Sequence, residues 1–269
     1  MRFAANLSMM FTERPFLERF AAAAAAGFDA VEFLFPYEVP AERIKAALDA
    51  HGLTQALFNL PPGDWTAGER GIACLPGREA EFREGVAAAI AYAKVLGNRL
   101  LHCMSGIPPD GLPDGVEREA ALALYTDNLR HAAAACAEAG LTLLVEPINN
   151  RDMPGYLMNG TALARRVIGA VGAPNLKLQL DLYHCQISEG DLATRIRANA
   201  DLTAHVQIAG VPDRNEPDRG EVHYPYLFEV LAGTGYRGFI GCEYRPRART
   251  EDGLDWFRAA RERSRQAAR

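Results

Sequence analysis

Four side chains in the second half of the chain, Glu146, Asp181, Gln207 and Glu243, have the types and spacing for acid–base chemistry around a cation. Each ends a short apolar run: Leu143-Leu144-Val145-Glu146, Leu176-Lys177-Leu178-Gln179-Leu180-Asp181, Thr203-Ala204-His205-Val206-Gln207 and Gly238-Phe239-Ile240-Gly241-Cys242-Glu243. A helical segment follows each run. Successive members lie about 30 residues apart, the length of one strand–helix–strand repeat. On neighbouring parallel strands they converge at the carboxyl edge of the sheet, where α/β proteins keep their sites. Any one of them alone would be explained equally well as a helix cap or loop residue. Four on consecutive strands are better explained as a site. The carboxylates there would repel one another unless neutralised, so the pattern predicts a divalent metal held by Glu146, Asp181, Gln207 and Glu243. Oxygen ligands without a thiolate predict a hard ion, Mg2+ or Mn2+, with positions left open for substrate oxygens.

Glu146 and Glu243 fall on the fifth and eighth strands and are expected to face each other across the substrate as the catalytic pair. A metal that chelates a carbonyl and its neighbouring hydroxyl acidifies the intervening C–H, and a carboxylate on either face then removes or returns the proton, which is enediol chemistry. His184, three residues after Asp181, is placed either to donate to a substrate oxygen or to fill a structural role. His102, near the end of the fourth strand, either lines the cavity or is a satisfied core histidine, whereas His51 and His131 belong on helix surfaces.

The elements that must position these groups alternate along the whole chain. Strands are expected at 2–7, 29–33, 53–59, 99–104, 143–146, 176–181, 203–207 and 238–243, and helices at 15–26, 41–51, 78–96, 116–139, 161–171, 191–200, 226–232 and 251–263. Eight strand–helix pairs in 269 residues predict an α/β fold, one (β/α)8 TIM barrel spanning residues 1–269. No G-x-G-x-x-G follows the first strand to support a nucleotide-binding open sheet. Residues 61–77, with glycine, proline and Trp65, form an aperiodic loop of the length that is more often functional than idle, and 105–115 is turn-rich.

Composition narrows the partners. A net charge of −5 with scattered arginines predicts no general attraction for nucleic acid or an anionic membrane surface, so an anionic substrate needs a local cation. Five cysteines, odd in number and without CxxC spacing, predict reduced thiols and a cytoplasmic location. No signal-like or membrane-spanning run is evident.

The sequence resembles the hydroxypyruvate isomerase family of the xylose-isomerase-like barrels nearly from end to end. The matching stretches are Phe3-Ala4-Ala5-Asn6-Leu7-Ser8-Met9, Val31-Glu32-Phe33-Leu34-Phe35-Pro36-Tyr37, Gly63-Asp64-Trp65 with Gly68-Glu69-Arg70-Gly71, Glu146-Pro147-Ile148-Asn149, His205-Val206-Gln207-Ile208-Ala209-Gly210 and Gly241-Cys242-Glu243-Tyr244. The resemblance implies metal binding through the same four residues, Glu146 and Glu243 as acid–base pair, and interconversion of hydroxypyruvate and 2-hydroxy-3-oxopropanoate. Related ketose epimerases are similar in Asp181-x-x-His184, which implies a substrate contact for His184. They carry an acid where Asp152 stands, though a longer one, and histidine where Gln207 stands, a departure that argues against a neutral sugar. For a carboxylate-bearing hydroxy-oxo acid, Arg70 or Arg214 is expected to supply the bidentate grip. A close branch resembles 2-oxo-tetronate isomerases, acting on a four-carbon acid. Met9-Met10-Phe11-Thr12-Glu13 and Gly27-Phe28-Asp29-Ala30-Val31-Glu32 look like that branch, and Glu146-Pro147-Ile148-Asn149 like the three-carbon enzymes. Homo-oligomer formation is a family-level expectation.

Overall fold

In the computed structural model, which describes residues 1–108 and 116–266, eight short strands pair in chain order, all parallel, and the last closes on the first. They are β1 (Arg2–Asn6), β2 (Ala30–Glu32), β3 (Thr54–Asn59), β4 (Leu100–His102), β5 (Thr142–Val145), β6 (Leu176–Asp181), β7 (Thr203–Ile208) and β8 (Phe239–Cys242). Outside them run α1 (Arg19–Ala25), α2 (Ala41–Ala50), α3 (Glu79–Leu96), α4 (Val116–Glu138), α5 (Thr161–Val171), α6 (Leu182–Ser188), α7 (Leu192–Ala198), α8 (Tyr224–Gly233) and α9 (Asp255–Gln266). The predicted (β/α)8 barrel is therefore the observed fold.

The helices dock by apolar stripes. On α5, Ala164, Val167 and Ile168 are buried at the i, i+3, i+4 spacing while Arg165 and Arg166 face outward. Barrel closure is reinforced by aromatic packing. The Phe3 ring on β1 meets Phe228, Trp256 and Phe257 edge-on at 5.6, 5.8 and 5.7 Å, and Phe28 stacks on Phe257 at 4.1 Å, pinning α8 and α9 against the first strand.

Several boundaries differ from expectation. The helix expected at 15–26 begins as a 3-10 turn (Phe16–Glu18) before α1, and that expected at 251–263 begins with another (Thr250–Gly253) before α9. Helix α8 starts two residues before the expected Tyr226, with Pro225 in its first turn, where a missing N–H costs nothing. Helix α6 was not expected, and its origin lies in the site. Residues 109–115 of the turn-rich stretch lie outside the described residues. Among the described residues, no helix is long and apolar enough to cross a membrane. All five cysteines are free and buried.

Register sets the heights of the four strand-end residues. Asp181 pairs with Gln207, but Gln207 pairs with Gly241, so Glu243 stands two residues further along its strand. Val145 pairs with Leu178, so Glu146 is level with Gln179 and Asp181 stands above it. The residues form a staggered group, as the shear of a closed barrel requires.

Candidate active site

A cavity of about 340 Å3 opens at the carboxyl end of the barrel, lined among others by Glu146, Asp152, His184, Arg214, Glu243 and Arg70. His102 lines it too, beside Glu146, with Nε2 3.6 Å from Oε2 and Nδ1 3.3 Å from Asn59 Oδ1. Asp181 and Gln207 are buried beside these lining residues, each 1% exposed.

Asp181 serves two purposes through its two oxygens. Oδ1 accepts from the backbone N–H groups of Tyr183 at 2.7 Å and His184 at 3.4 Å, capping α6. Oδ2 has no hydrogen-bond partner and lies 3.8 Å from both His184 Nε2 and Arg214 Nη2. One oxygen thus caps a helix while the other is left unpartnered, and the cap is what starts α6 directly at the strand end.

That short helix delivers His184. Its Nδ1 lies 2.6 Å from Asn149 Nδ2 and accepts from the Asn149 backbone N–H at 3.4 Å, while Asn149 Oδ1 accepts from the Asp152 N–H. Since both groups facing Nδ1 are donors, the neutral ring carries its proton on Nε2. Burial holds His184 well below the usual histidine range, so it remains neutral. Nε2–H then faces Asp181 Oδ2, 3.8 Å away, as a donor. Glu146, Asp181 and His184 present potential ligand atoms within 4.8 Å of one another, but this tautomer suits His184 to donating to a substrate oxygen rather than to ligating a metal.

The acids are crowded and dry. Glu146 Oε1 is buried without a partner. Burial, then the nearby Glu243 and Asp181 charges, push Glu146 well above the usual carboxylate range. Burial raises Asp181 to about 6 and Glu243 to about 8, each opposed by the Arg214 guanidinium. Arg214 sits in the loop after β7 with a left-handed φ of 57°. Its Nη2 donates to Glu243 Oε1 and lies 3.8 Å from Asp181 Oδ2, and its Nη1 lies 3.8 Å from Asp152 Oδ2. Asp152 also accepts from the Tyr183 hydroxyl at 2.7 Å. The charge of Arg214 is thus committed to the protein's own acids.

Arg70 differs. Its guanidinium lies 3.9 Å over the Trp65 ring and donates only to main-chain carbonyls, Trp65 at 3.0 Å and Glu69 at 2.7 Å. Among the described residues it makes no ion pair. The loop carrying it is anchored by the Glu69–Arg78 pair at 2.5 Å and by Gly71, with φ of 102°, where a Cβ would come within 2.5 Å of the Met104 carbonyl.

Strand-end reasoning missed a polar layer below these groups. Glu32, Asn6, His205 and Gln179 are all buried. Glu32 ends β2 just as Asp181 ends β6, and Gln179 and His205 precede Asp181 and Gln207 by two residues, so strand alternation puts them on the same inward face. Those signals were present in the sequence.

The donor set fits a divalent ion: Glu146 Oε1 and Asp181 Oδ2 are buried without hydrogen-bond partners, and Glu146 and Asp181 each offer a ligand atom within 4.8 Å of the other. A cation there would relieve both the repulsion and the orphaned oxygens.

Comparison with known proteins places this geometry. The profile of the family described as xylose isomerase-like TIM barrel matches residues 20–260. A 2-oxo-tetronate isomerase of Cupriavidus necator is 57% identical over 96% of this chain and 97% of its own. A hydroxypyruvate isomerase of Escherichia coli is 49% identical over 96% and 98%. A crystal structure from Brucella melitensis, described as an AP endonuclease, family 2, superposes with a TM-score of 0.92 at 55% identity, covering 96% of this chain and 98% of that one. The chain belongs to the xylose isomerase-like TIM barrels and, within them, to the hydroxypyruvate isomerase family.

Proposed function

We propose that the chain is a cytoplasmic isomerase that interconverts hydroxypyruvate and 2-hydroxy-3-oxopropanoate with a divalent cation, Mg2+ or Mn2+, held by Glu146, Asp181, Gln207 and Glu243. The observation that carries this reading is the pair of buried, proton-avid glutamates, Glu146 and Glu243, in one cavity whose mouth holds an arginine stacked on Trp65 and bonded only to carbonyls. The relatives named hydroxypyruvate isomerase and 2-oxo-tetronate isomerase support it. Free, buried thiols support the cytoplasmic location.

A divalent ion held there would supply the positive charge that acidifies the substrate C–H beside the carbonyl. Arg70 grips the substrate carboxylate at the mouth and points the reacting carbons inward. One glutamate of the pair removes a proton from C3, giving the enediol, and the other delivers a proton to C2. His184 Nε2–H stabilises negative charge on a substrate oxygen while a proton moves from O3 to O2. Substrate and product are isomers, so the cycle balances without an oxidant or reductant. Asp152 and Tyr183 hold Arg214, which steadies Glu243 and Asp181.

The four-carbon reading, a 2-oxo-tetronate isomerase running the same shift, is favoured by the relative at 57% identity. A nuclease reading fits the site less well, because the clustered ligand group among the described residues contains one histidine and the net charge is −5. The test is proton NMR of the metal-loaded protein in D2O, offered each acid separately. Conversion with deuterium at the transferred position supports the enediol route, and the faster acid names the substrate. Absence of both conversion and exchange with either acid overturns the proposal.

A further inference from the structure

The cavity mouth holds a third arginine, to which the proposed reaction gives no role. Arg245 lines it together with Arg70 and Arg214. It follows Glu243 by two residues on the extended segment that leaves β8, and strand alternation puts both on one face, with Arg245 roughly 6–7 Å nearer the rim. Tyr244 between them turns the other way, buried, and its hydroxyl accepts from Trp256 Nε1 on α9 at 3.4 Å. The main chain of Arg245 is held on both sides: its N–H donates to the Arg214 carbonyl and its own carbonyl accepts from Asn215 Nδ2, each at 2.8 Å. The backbone is fixed while the side chain is exposed.

Its guanidinium is uncommitted. Arg214 reaches Glu243, Asp181 and Asp152, and Arg247 pairs with Glu216 and Asp218, but Arg245 makes no ion pair or side-chain hydrogen bond among the described residues. Arg70 is already half-engaged, because both hydrogens of Nη1 go to the Trp65 and Glu69 carbonyls, leaving Nε–H and Nη2 for a ligand. A carboxylate accepts about four hydrogen bonds, more than that edge supplies. Charge points the same way. Glu146, Asp152, Asp181 and Glu243, ionised around a divalent cation, set four negative charges against three positive ones from the cation and Arg214. Arg70 alone brings the loaded mouth only to neutrality, which gives an approaching anion no net attraction. Arg245 makes it positive by one charge, and the bound monoanion restores balance. Strand order puts Arg245 beyond β8 and Arg70 beyond β3, with uncharged Met9 and Leu34, beyond β1 and β2, lining the arc between them.

We propose that Arg245 is a substrate-binding residue that brackets the carboxylate of the hydroxy-oxo acid together with Arg70. The consequence for turnover rests on the isomerase reading, whereas binding of a small hydroxy acid at the mouth is measurable without it. Because only main-chain atoms of Arg245 are bonded, its variants are expected to melt like wild type.

The test uses Mg2+-loaded protein and glycerate, which carries the carboxylate and both oxygens of the three-carbon acid but has no carbonyl and cannot isomerise. By calorimetry, Arg245→Ala is expected to bind glycerate about threefold more weakly than wild type, the scale of an exposed charge pair. Arg245→Glu should bind more weakly still, and Arg245→Lys should fall between Ala and wild type. Added salt at about 0.5 M should shrink these differences. Arg237→Ala removes the same charge at the opposite end of the barrel, before β8, and should bind glycerate as wild type does. With hydroxypyruvate, KM for Arg245→Ala should rise by the same factor as the glycerate Kd while kcat stays within twofold. Equal glycerate binding by wild type and Arg245→Ala, or a loss that Arg237→Ala matches, overturns the assignment and leaves Arg245 a solvated charge. A fall in kcat with unchanged KM overturns it as well. Wild-type protein inactive on both acids would sink the isomerase reading instead, and the glycerate comparison would still decide the role of Arg245.

Discussion

Glu146 and Glu243 are each one atom substitution away from losing their chemistry. Glu146→Gln or Glu243→Gln retains shape but cannot exchange a proton, so kcat is expected to fall about 100- to 10,000-fold with an unchanged circular dichroism spectrum. Near-normal turnover in both variants, measured by the same NMR assay, would refute the acid–base assignment. His184 should behave differently, because its role is to donate from Nε2: His184→Phe is expected to lose turnover, while Asn149→Leu, which removes the donor that fixes the tautomer, loses part of it. At this scale the sequence exposed the acids that end strands five, six and eight, because a carboxylate terminating an apolar run is conspicuous. It hid the roles of Arg70 and Arg214, two loop arginines that look alike until distances show one bound to three acids and the other to carbonyls. Glu32 ends β2 as Asp181 ends β6, but within the strand expected at 29–33 it is followed by apolar Phe33 and does not stand out as a strand end.

Between residues and barrel stand the elements that hold them, and two make separable predictions. The Asp181 side chain caps α6 with one oxygen and leaves the other without a hydrogen-bond partner. Asp181→Asn keeps the cap, so its melting temperature should match or exceed that of wild type, whereas Asp181→Ala should fall below the Asn variant by about 1 kcal/mol. Both should bind Mn2+ more weakly by calorimetry, and equal metal affinity in wild type and Asn variant would remove Asp181 from the ligand set. The β3–α3 loop carries Arg70 on Trp65, itself packed 5.2 Å from Phe35. Arg70→Ala is expected to raise KM for the acid about tenfold with kcat within twofold, since a charge-assisted contact at a partly open mouth contributes on the order of 1.5 kcal/mol. An unchanged KM would return the carboxylate to another cation. Alternation of apolar runs made all eight strands legible, and long, alanine-rich helices such as α3 were placed within a residue or so. Helix α6 escaped because it spans seven residues and depends on the Asp181 cap, a tertiary detail masked by reading that residue as a strand end.

For the molecule as a whole, the barrel gathers ionisable groups into a dry mouth, and their opposing shifts should appear in its stability. Glu243 is raised from an ordinary 4.5 to about 8, and Glu146 is raised well above 4.5 by burial and like charge. Groups of this kind bind protons more tightly folded than unfolded, so the stability they confer is complete below their unfolded values and is lost as pH climbs through the folded ones. The buried histidines run the other way. His102 is lowered from 6.5 to about 3, and His184 is lowered too, so their contribution is present above about 6.5 and is lost as pH falls. Between about 6.5 and 4.5 the histidines offset Glu146 and Glu243, while Asp181, raised from 3.8 to about 6, adds a gain below about 6. The chelator-treated protein is therefore expected to gain melting temperature as pH drops from 8 to 6.5, by about 5 °C if one raised carboxylate contributes on the order of 2 kcal/mol. It should gain only shallowly from there down to about 4.5 and then lose stability as the buried histidines are forced to charge. Adding Mg2+ or Mn2+ supplies the charge that protons otherwise provide, so it should flatten the alkaline limb, with the larger stabilisation at pH 8 than at pH 6. Scanning calorimetry across this range, with and without metal, decides it. A melting temperature that rises toward pH 8 without metal, or a metal effect independent of pH, would mean that Arg214 alone balances the acids and that the cluster was not built around a cation.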